Sequence, residues 1–170
     1  KRITQRRSKS KLSIITNEES IILSHISELM EEETDCVILA HLLLDSIDVH
    51  LQLSEESIVK TLKSVNNLIK RVKNSPKQYL NKLSRFLSQL TDRSARLEII
   101  EIIETIAAND FACLEISQLI KLINSYNPRN PEEPDFNVRD QGFRMCKQKI
   151  LNMKFDTDID SELLYLIIHN

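Results

Sequence analysis

Within 170 residues, 23 Lys and Arg stand against 25 Asp and Glu, 41% of positions are hydrophobic, 5% are aromatic, and the chain holds no Trp and a single glycine, Gly142. Phosphate-cradling loops, dinucleotide folds and tight hairpins use Gly where the backbone takes positive φ or approaches a ligand, and average usage would supply about twelve, so most enzyme classes are excluded. The hydrophobic content suffices for the core of one domain and excludes disorder throughout.

Six cations, Lys1, Arg2, Arg6, Arg7, Lys9 and Lys11, fall in the first eleven residues and leave 17 against 25 acids in the body. Residues 1–16 read as a basic flexible arm, which either contacts RNA, serves as a nuclear address, or is simply solvated. Residues 17–170 read as a segment of helical repeats. With Lys1 rather than Met at its start and no signal-peptide region after it, the sequence reads as a piece of a longer chain.

Ile21, Ile22, His25, Ile26, Leu29 and Met30 recur at helical spacing behind the Thr16-x-x-Glu19 capping box, which predicts a first helix over about 17–31. Val37, Ile38, His41, Leu42 and Leu44 make a second apolar face after Asp35, and Ile58, Leu62, Val65, Ile69 and Val72 a third after the cap candidate Ser54. Ser75 opens a fourth helix, with Pro76 at its first position, Gln78 completing a capping box, and Leu80, Leu83, Phe86, Leu87 and Leu90 on one face. Thr91 or Asp92 caps a fifth, whose Ile99, Ile100, Ile103 and Ile106 predict burial on two sides. Asp110 caps a sixth carrying Phe111, Leu114, Leu119, Leu122 and Ile123. A proline-rich connection at 124–134 follows, then helical faces at Val138, Gly142, Met145 and Ile150 and at Leu163, Leu164, Ile167 and Ile168. No strand is predicted, and about eight helices are expected.

Predicted helix starts near 18, 55 and 92 are 37 residues apart, with others between them. Asp92-x-x-Ala95-Arg96 also matches Asp135-x-x-Val138-Arg139, each opening a helix. These intervals lie near the roughly 40–47 residues of HEAT and armadillo units, and the D-x-x-[VA]-R pattern resembles the start of a HEAT repeat's second helix. That resemblance implies an Asp that caps or pairs and an Arg that links to the neighbouring unit. The expected fold is therefore all-α, a HEAT/armadillo-like solenoid of stacked helix pairs, with an irregular helical bundle as the alternative.

The stretch from Leu122 to Phe143 is the most distinctive. Asn124, Tyr126 and Asn127, then Glu133-Pro134-Asp135-Phe136, then Arg139 and Phe143, resemble the "down-regulated in metastasis" family, the giant HEAT-repeat scaffold known as component 20 of the small-subunit processome. Ser161 to Asn170 is similar to that family's next helix. The resemblance implies a nucleolar, nuclear protein that contacts pre-ribosomal RNA and other processome proteins in a large ribonucleoprotein and acts in pre-18S rRNA processing. It implies no catalytic residues.

Other patterns point to no chemistry. Cys36, Cys113 and Cys146 form no CxxC pair, which argues against a zinc site or a disulfide framework. Asp156-x-Asp158-x-Asp160 imitates the opening of a calcium loop, but Ser161 stands where the loop needs Gly and Ile167 where it needs Glu. Cys36 and His41, five residues apart, are expected to point differently, and packed or half-exposed histidines are the expectation. No cofactor or metal is expected, and no apolar run nears the roughly 18 residues of a membrane span, so no membrane partner is expected either. Candidate RNA contacts are Arg2, Arg6, Arg7, Lys9 and Lys11 in the arm and Lys63, Lys70, Arg71, Lys73 and Lys77 in the body. The expected role is that of a non-enzymatic scaffold in small-subunit assembly; the alternative is a HEAT-type transport or adaptor protein that holds peptide segments.

Overall fold

The computed structural model describes residues 17–47, 54–152 and 166–167. Within them lie seven α-helices: α1 (Asn17–Leu29), α2 (Glu33–Ser46), α3 (Glu55–Ile69), α4 (Leu80–Gln89), α5 (Arg93–Asn109), α6 (Leu114–Ile123) and α7 (Phe136–Asn152). Single 3₁₀ turns, Pro76–Tyr79 and Phe111–Cys113, lead into α4 and α6. No strand occurs among the described residues; one isolated bridge joins Tyr126 to Pro134. The protein is thus all-α, a helical repeat or bundle. The predicted arm at 1–16, the 16–19 capping box and the acidic loop at 156–160 involve residues outside the described ones.

The helices assemble in neighbouring pairs. α3 packs on α1, α2 and α5, α5 on α4 and α6, and α6 carries α7. α1, α3 and α5 begin at equal intervals of sequence. The shared core is aliphatic: Leu62, Val65, Leu68 and Ile69 of α3 face Ile99, Ile102, Ile103 and Ile106 of α5, and all eight are fully buried. Each such side chain contributes about 1.5–3 kcal/mol by leaving water. Ile100 is buried as well, which gives α5 the two-sided burial its isoleucines predict.

Three predicted caps form. Ser54 and Asp92 accept the N–H of Ser57 (3.2 Å) and Ala95 (2.8 Å), and Asp110 accepts that of Ala112 (3.1 Å). Three local expectations are corrected. On α2 the buried face is Cys36, Ala40, Leu43 and Leu44, while Ile38 and Leu42 are 59% and 58% exposed, because an all-apolar run leaves its register to the neighbouring α3. Phe111 lies 82% exposed in the 3₁₀ turn, which rotates it off the α6 face. Ser75 makes no side-chain cap; it takes left-handed backbone angles (φ 50°, ψ 49°), and Gln78 N–H bonds to its carbonyl instead, so the expected capping box is replaced by a turn. Since only Gly adopts that conformation without strain, Ser75→Gly is expected to stabilise the fold by about 1 kcal/mol in chemical denaturation.

The helix C-termini are closed in an uncommon way. Helices commonly end on a left-handed Gly that lets the last carbonyls bond back. With one Gly in the chain, neighbouring side chains supply the donors instead. Arg71, just beyond α3, donates to the Ser27 and Glu28 carbonyls at the end of α1 (3.1 and 2.9 Å) and to Asn67 O (2.9 Å). Asn109 at the end of α5 donates to the carbonyl of Ile69, the last residue of α3, and to that of Val72 just beyond it (both 3.1 Å). Arg96 of α5 closes α4 through Leu87 O and Leu90 O. A cation at a helix C-terminus also meets the negative end of the helix dipole.

Candidate interaction surfaces

The stretch singled out in the sequence folds into a corner between α6 and α7. Asn124 closes α6 by donating Nδ2 to Ile120 O (2.8 Å), while its Oδ1 accepts from Arg96 (2.6 Å), so one side chain ties α6 to α5. Asn127 N–H bonds to Glu133 O (2.9 Å) and Asp135 N–H to Ser125 O (3.0 Å), which folds the proline-rich loop back on itself. Asp135 then starts α7 by accepting Val138 N–H (3.1 Å). Arg139 donates Nε to Ser125 O (2.8 Å), and its guanidinium lies 4.9 Å from the Tyr126 ring centre; that of Arg93 lies 4.8 Å from the same ring. Arg93 also reaches Glu132 at 3.5 Å.

The two D-x-x-[VA]-R copies therefore do comparable things. Asp92 and Asp135 each cap a helix, and Arg96 and Arg139 each reach back to carbonyls at the end of the preceding helix. Burial lowers the Arg96 pKa, an effect that Tyr126 opposes and the Arg139 charge reinforces.

Cations of the body are largely engaged with neighbours. Lys63 pairs with Glu98 across α3 and α5 (3.5 Å), Lys60 with Glu56, Lys82 of α4 with Asp45 of α2, Lys121 of α6 with Glu104 of α5 (2.6 Å), and Lys149 of α7 with Glu115 of α6 (2.7 Å). Burial, and then the nearby Glu101, raise the Glu98 pKa, with Lys63 acting against both. Of the predicted RNA contacts, Arg71 is half-buried in its helix-end clamp. Lys70 is exposed and near Asn67 (3.4 Å), Lys73 is exposed and Lys77 half-buried. Next to them Glu33 accepts the Lys73 and Asn74 N–H groups (2.8 and 2.7 Å), and these bonds, Asn74's first, lower its pKa. The arm residues Arg2, Arg6, Arg7, Lys9 and Lys11 lie outside the described ones.

Cys36 and His41, expected to point apart, both approach Tyr79. The His41 and Tyr79 rings are 4.8 Å apart, and burial pushes the Tyr79 phenol up to about 12, with Cys36 adding to the shift. This is a packed group: Tyr79 is fully buried, and its hydroxyl has no hydrogen-bond partner among the described residues. An unsatisfied buried hydroxyl costs free energy, so Tyr79→Phe is expected to raise stability by about 1 kcal/mol, checked by urea denaturation. Cys113 and Cys146 are buried and form no disulfide among the described residues. Among the described residues no group of three or more His, Cys, Asp or Glu is placed to hold a metal ion, and no helix is long and apolar enough to cross a membrane.

Paired helices, ends clamped from neighbouring elements and flanks joined by ion pairs define an all-α helical-repeat or bundle protein that offers surfaces for contact. The chain belongs to the family described as U3 small nucleolar RNA-associated protein 20, N-terminal, which it matches over residues 1–170. Membership implies a role in the small-subunit processome and in ribosome biogenesis. It supports the resemblance to processome component 20; the match does not carry the "down-regulated in metastasis" description. No curated protein and no solved structure matches the chain.

Proposed function

We propose that this chain is a non-enzymatic, HEAT-type scaffold segment of a nucleolar ribosome-assembly protein, holding pre-ribosomal RNA at a few basic points and neighbouring assembly factors along its helical body. The observation that carries it is the commitment of the body's charges to pairs between adjacent helices, such as Lys63–Glu98 and Lys149–Glu115, in a chain whose residues beyond 11 hold 17 cations against 25 acids. Such a surface repels a polyanion as a whole. RNA contact is therefore assigned to the arm, through Arg2, Arg6, Arg7, Lys9 and Lys11, and to the exposed Lys70 and Lys73 with Lys77 beside them. Equal spacing of α1, α3 and α5, and the parallel use of Asp92/Arg96 and Asp135/Arg139, support the HEAT-type reading.

Reversing the arm cations, and separately Lys70, Lys73 and Lys77, is expected to weaken incorporation into the pre-ribosomal assembly and to flatten its salt dependence by about one logarithmic unit per lost phosphate contact. The measurement is retention on purified assemblies over a salt series. If both sets of reversals leave retention and its salt slope unchanged, the RNA-holding role is wrong and the chain contacts protein alone.

A further inference from the structure

α1 presents an apolar stripe to water. Ile22, Ile26 and Leu29 share one face at helical spacing and are 57%, 41% and 80% exposed, while Ser27, Leu23 and Met30 turn toward the core. Large apolar groups aligned on one helix face and left in water are the usual mark of a contact surface.

The charge around this stripe has one sign. Residues 17–47, which hold α1 and α2, contain eight Asp and Glu and no Lys or Arg. Helical spacing sets Glu19 along one side of the stripe and His25 with Glu28 along the other, and Glu31 and Glu32 follow at its end. Glu28, Glu31 and Glu32 are exposed and form no ion pair among the described residues. Cations that come in from other elements are engaged elsewhere. Arg71 holds the Ser27, Glu28 and Asn67 carbonyls, Lys73 lies against Glu33, and Lys82 pairs with Asp45.

What covers the stripe must therefore bring aliphatic surface edged with positive charge, and such a segment adjoins α1. Residues 1–16 hold six Lys and Arg and no acid, together with Ile3, Leu12, Ile14 and Ile15. Lys and Arg can lay their methylene stems on apolar groups while their heads reach carboxylates. Reach is sufficient: α1, with 13 residues, is about 20 Å long, and sixteen residues of chain span up to roughly 50 Å. The tether also keeps the arm at a local concentration on the order of millimolar, so a weak contact is still populated. Other occupants fit less well. A nucleic acid would meet carboxylates, and the same face of a second copy would set carboxylates against carboxylates.

We infer that the Ile22–Ile26–Leu29 face of α1 is the docking site for the chain's own basic arm, residues 1–16, whose cations meet Glu28, Glu31 and Glu32, and that this face competes with RNA for the arm. The docking stands by itself; the competition rests on the reading of the arm as an RNA contact.

The test places a nitroxide at residue 8 (Ser8→Cys) of the whole chain, whose three native cysteines are buried, and reads the paramagnetic broadening of the α1 amide signals. Broadening from Ile22 to Glu32 is expected to fall by half or more in Leu29→Lys, in Glu28→Lys with Glu31→Lys, in Arg6→Glu with Arg7→Glu, and at high salt, while the unfolding midpoint stays put. Leu29 and both glutamates are exposed, so these variants should fold; Ile22→Ser is a milder second variant. Broadening that none of these changes alters overturns the docking. So does broadening that passes from a labelled copy to an unlabelled one, which would make the occupant the arm of another chain. For the competition, Ile22→Ser, which adds no charge, is expected to bind a single-stranded RNA about tenfold more tightly than the parent, the gain for an arm docked nine-tenths of the time. Equal affinity, in a chain that does lose RNA on Arg6→Glu with Arg7→Glu, overturns the competition. If that reversal costs no RNA binding, the RNA reading of the arm fails and the competition with it, while the broadening alone decides the docking.

Discussion

Arg96→Ala is expected to lower the stability of the chain by about 3 kcal/mol and its unfolding midpoint by roughly 6–12 °C. Three elements meet on this guanidinium. It closes the carbonyl end of α4 at Leu87 and Leu90, springs from the first turn of α5, and holds Asn124 Oδ1 at the end of α6 at 2.6 Å. Removing it leaves half-buried carbonyls and an amide oxygen without their charged donor, and hydrogen bonds to charged groups are each worth about 1.5–3 kcal/mol, though not additively. Arg96→Lys keeps the charge but not the planar fork that serves carbonyls on two elements, and should lose about half as much. The control is Arg144→Ala, whose pairing with Asp140 on the surface of α7 is exposed on both sides and should cost less than about 0.5 kcal/mol. Chemical denaturation of the three variants decides it; an Arg96→Ala loss no larger than the control's would mean that the clamp does not hold the helices together.

Which features were legible in the sequence follows from which of them are local. Helix existence and N-terminal caps depend on a few adjacent residues, so Ser54, Asp92 and Asp110 announced their helices, and the alternation of apolar positions gave the buried faces of α3, α4 and α5. The face of α2 did not follow, because Val37 to Leu44 is apolar nearly all round and only contact with α3 selects Cys36, Ala40 and Leu43. The closing of helix ends was also hidden. Arg71 lies 43 and 44 residues from the carbonyls it holds on α1, and Asn109 lies 40 and 37 from those at the end of α3 and just beyond it. The shortage of Gly was the available signal: a chain of many helices and one glycine must satisfy its last carbonyls with side chains. Read so, Arg71 would have been set apart from the lysines around it. Among the candidate site residues, Asp92, Arg96, Asp135 and Arg139 stood out in the sequence because their spacing repeats. The exposure of Phe136 and Phe143 was not legible, since an aromatic residue in a helical pattern reads as core until its neighbours are known.

Gly142 gives the other large expected effect. α7 crosses the end of α6 so closely that a Cβ on Gly142 would lie 2.9 Å from both Ile123 Cγ2 and Leu122 Cβ and 3.0 Å from the Ile123 backbone nitrogen. In a free helix Gly→Ala is worth about 1 kcal/mol of stabilisation, so the sign of the change at this position reports whether the crossing is real. Here the methyl group meets backbone, which cannot swing aside as a side-chain tip can. Overpacking of this kind costs about 1–3 kcal/mol, so Gly142→Ala should be destabilising by about 1 kcal/mol after the propensity gain, and Gly142→Val, with two more methyl groups and a β-branch, by about 3 kcal/mol or more. The damage should also be local. α7 is held by α6, whereas α3 and α5 share their own buried core, so amide exchange should speed up along residues 136–152 in the valine variant while α3 and α5 keep their protection. An alanine variant more stable than the parent, or exchange that rises evenly over all seven helices, would show that α7 is not seated on α6 through this glycine.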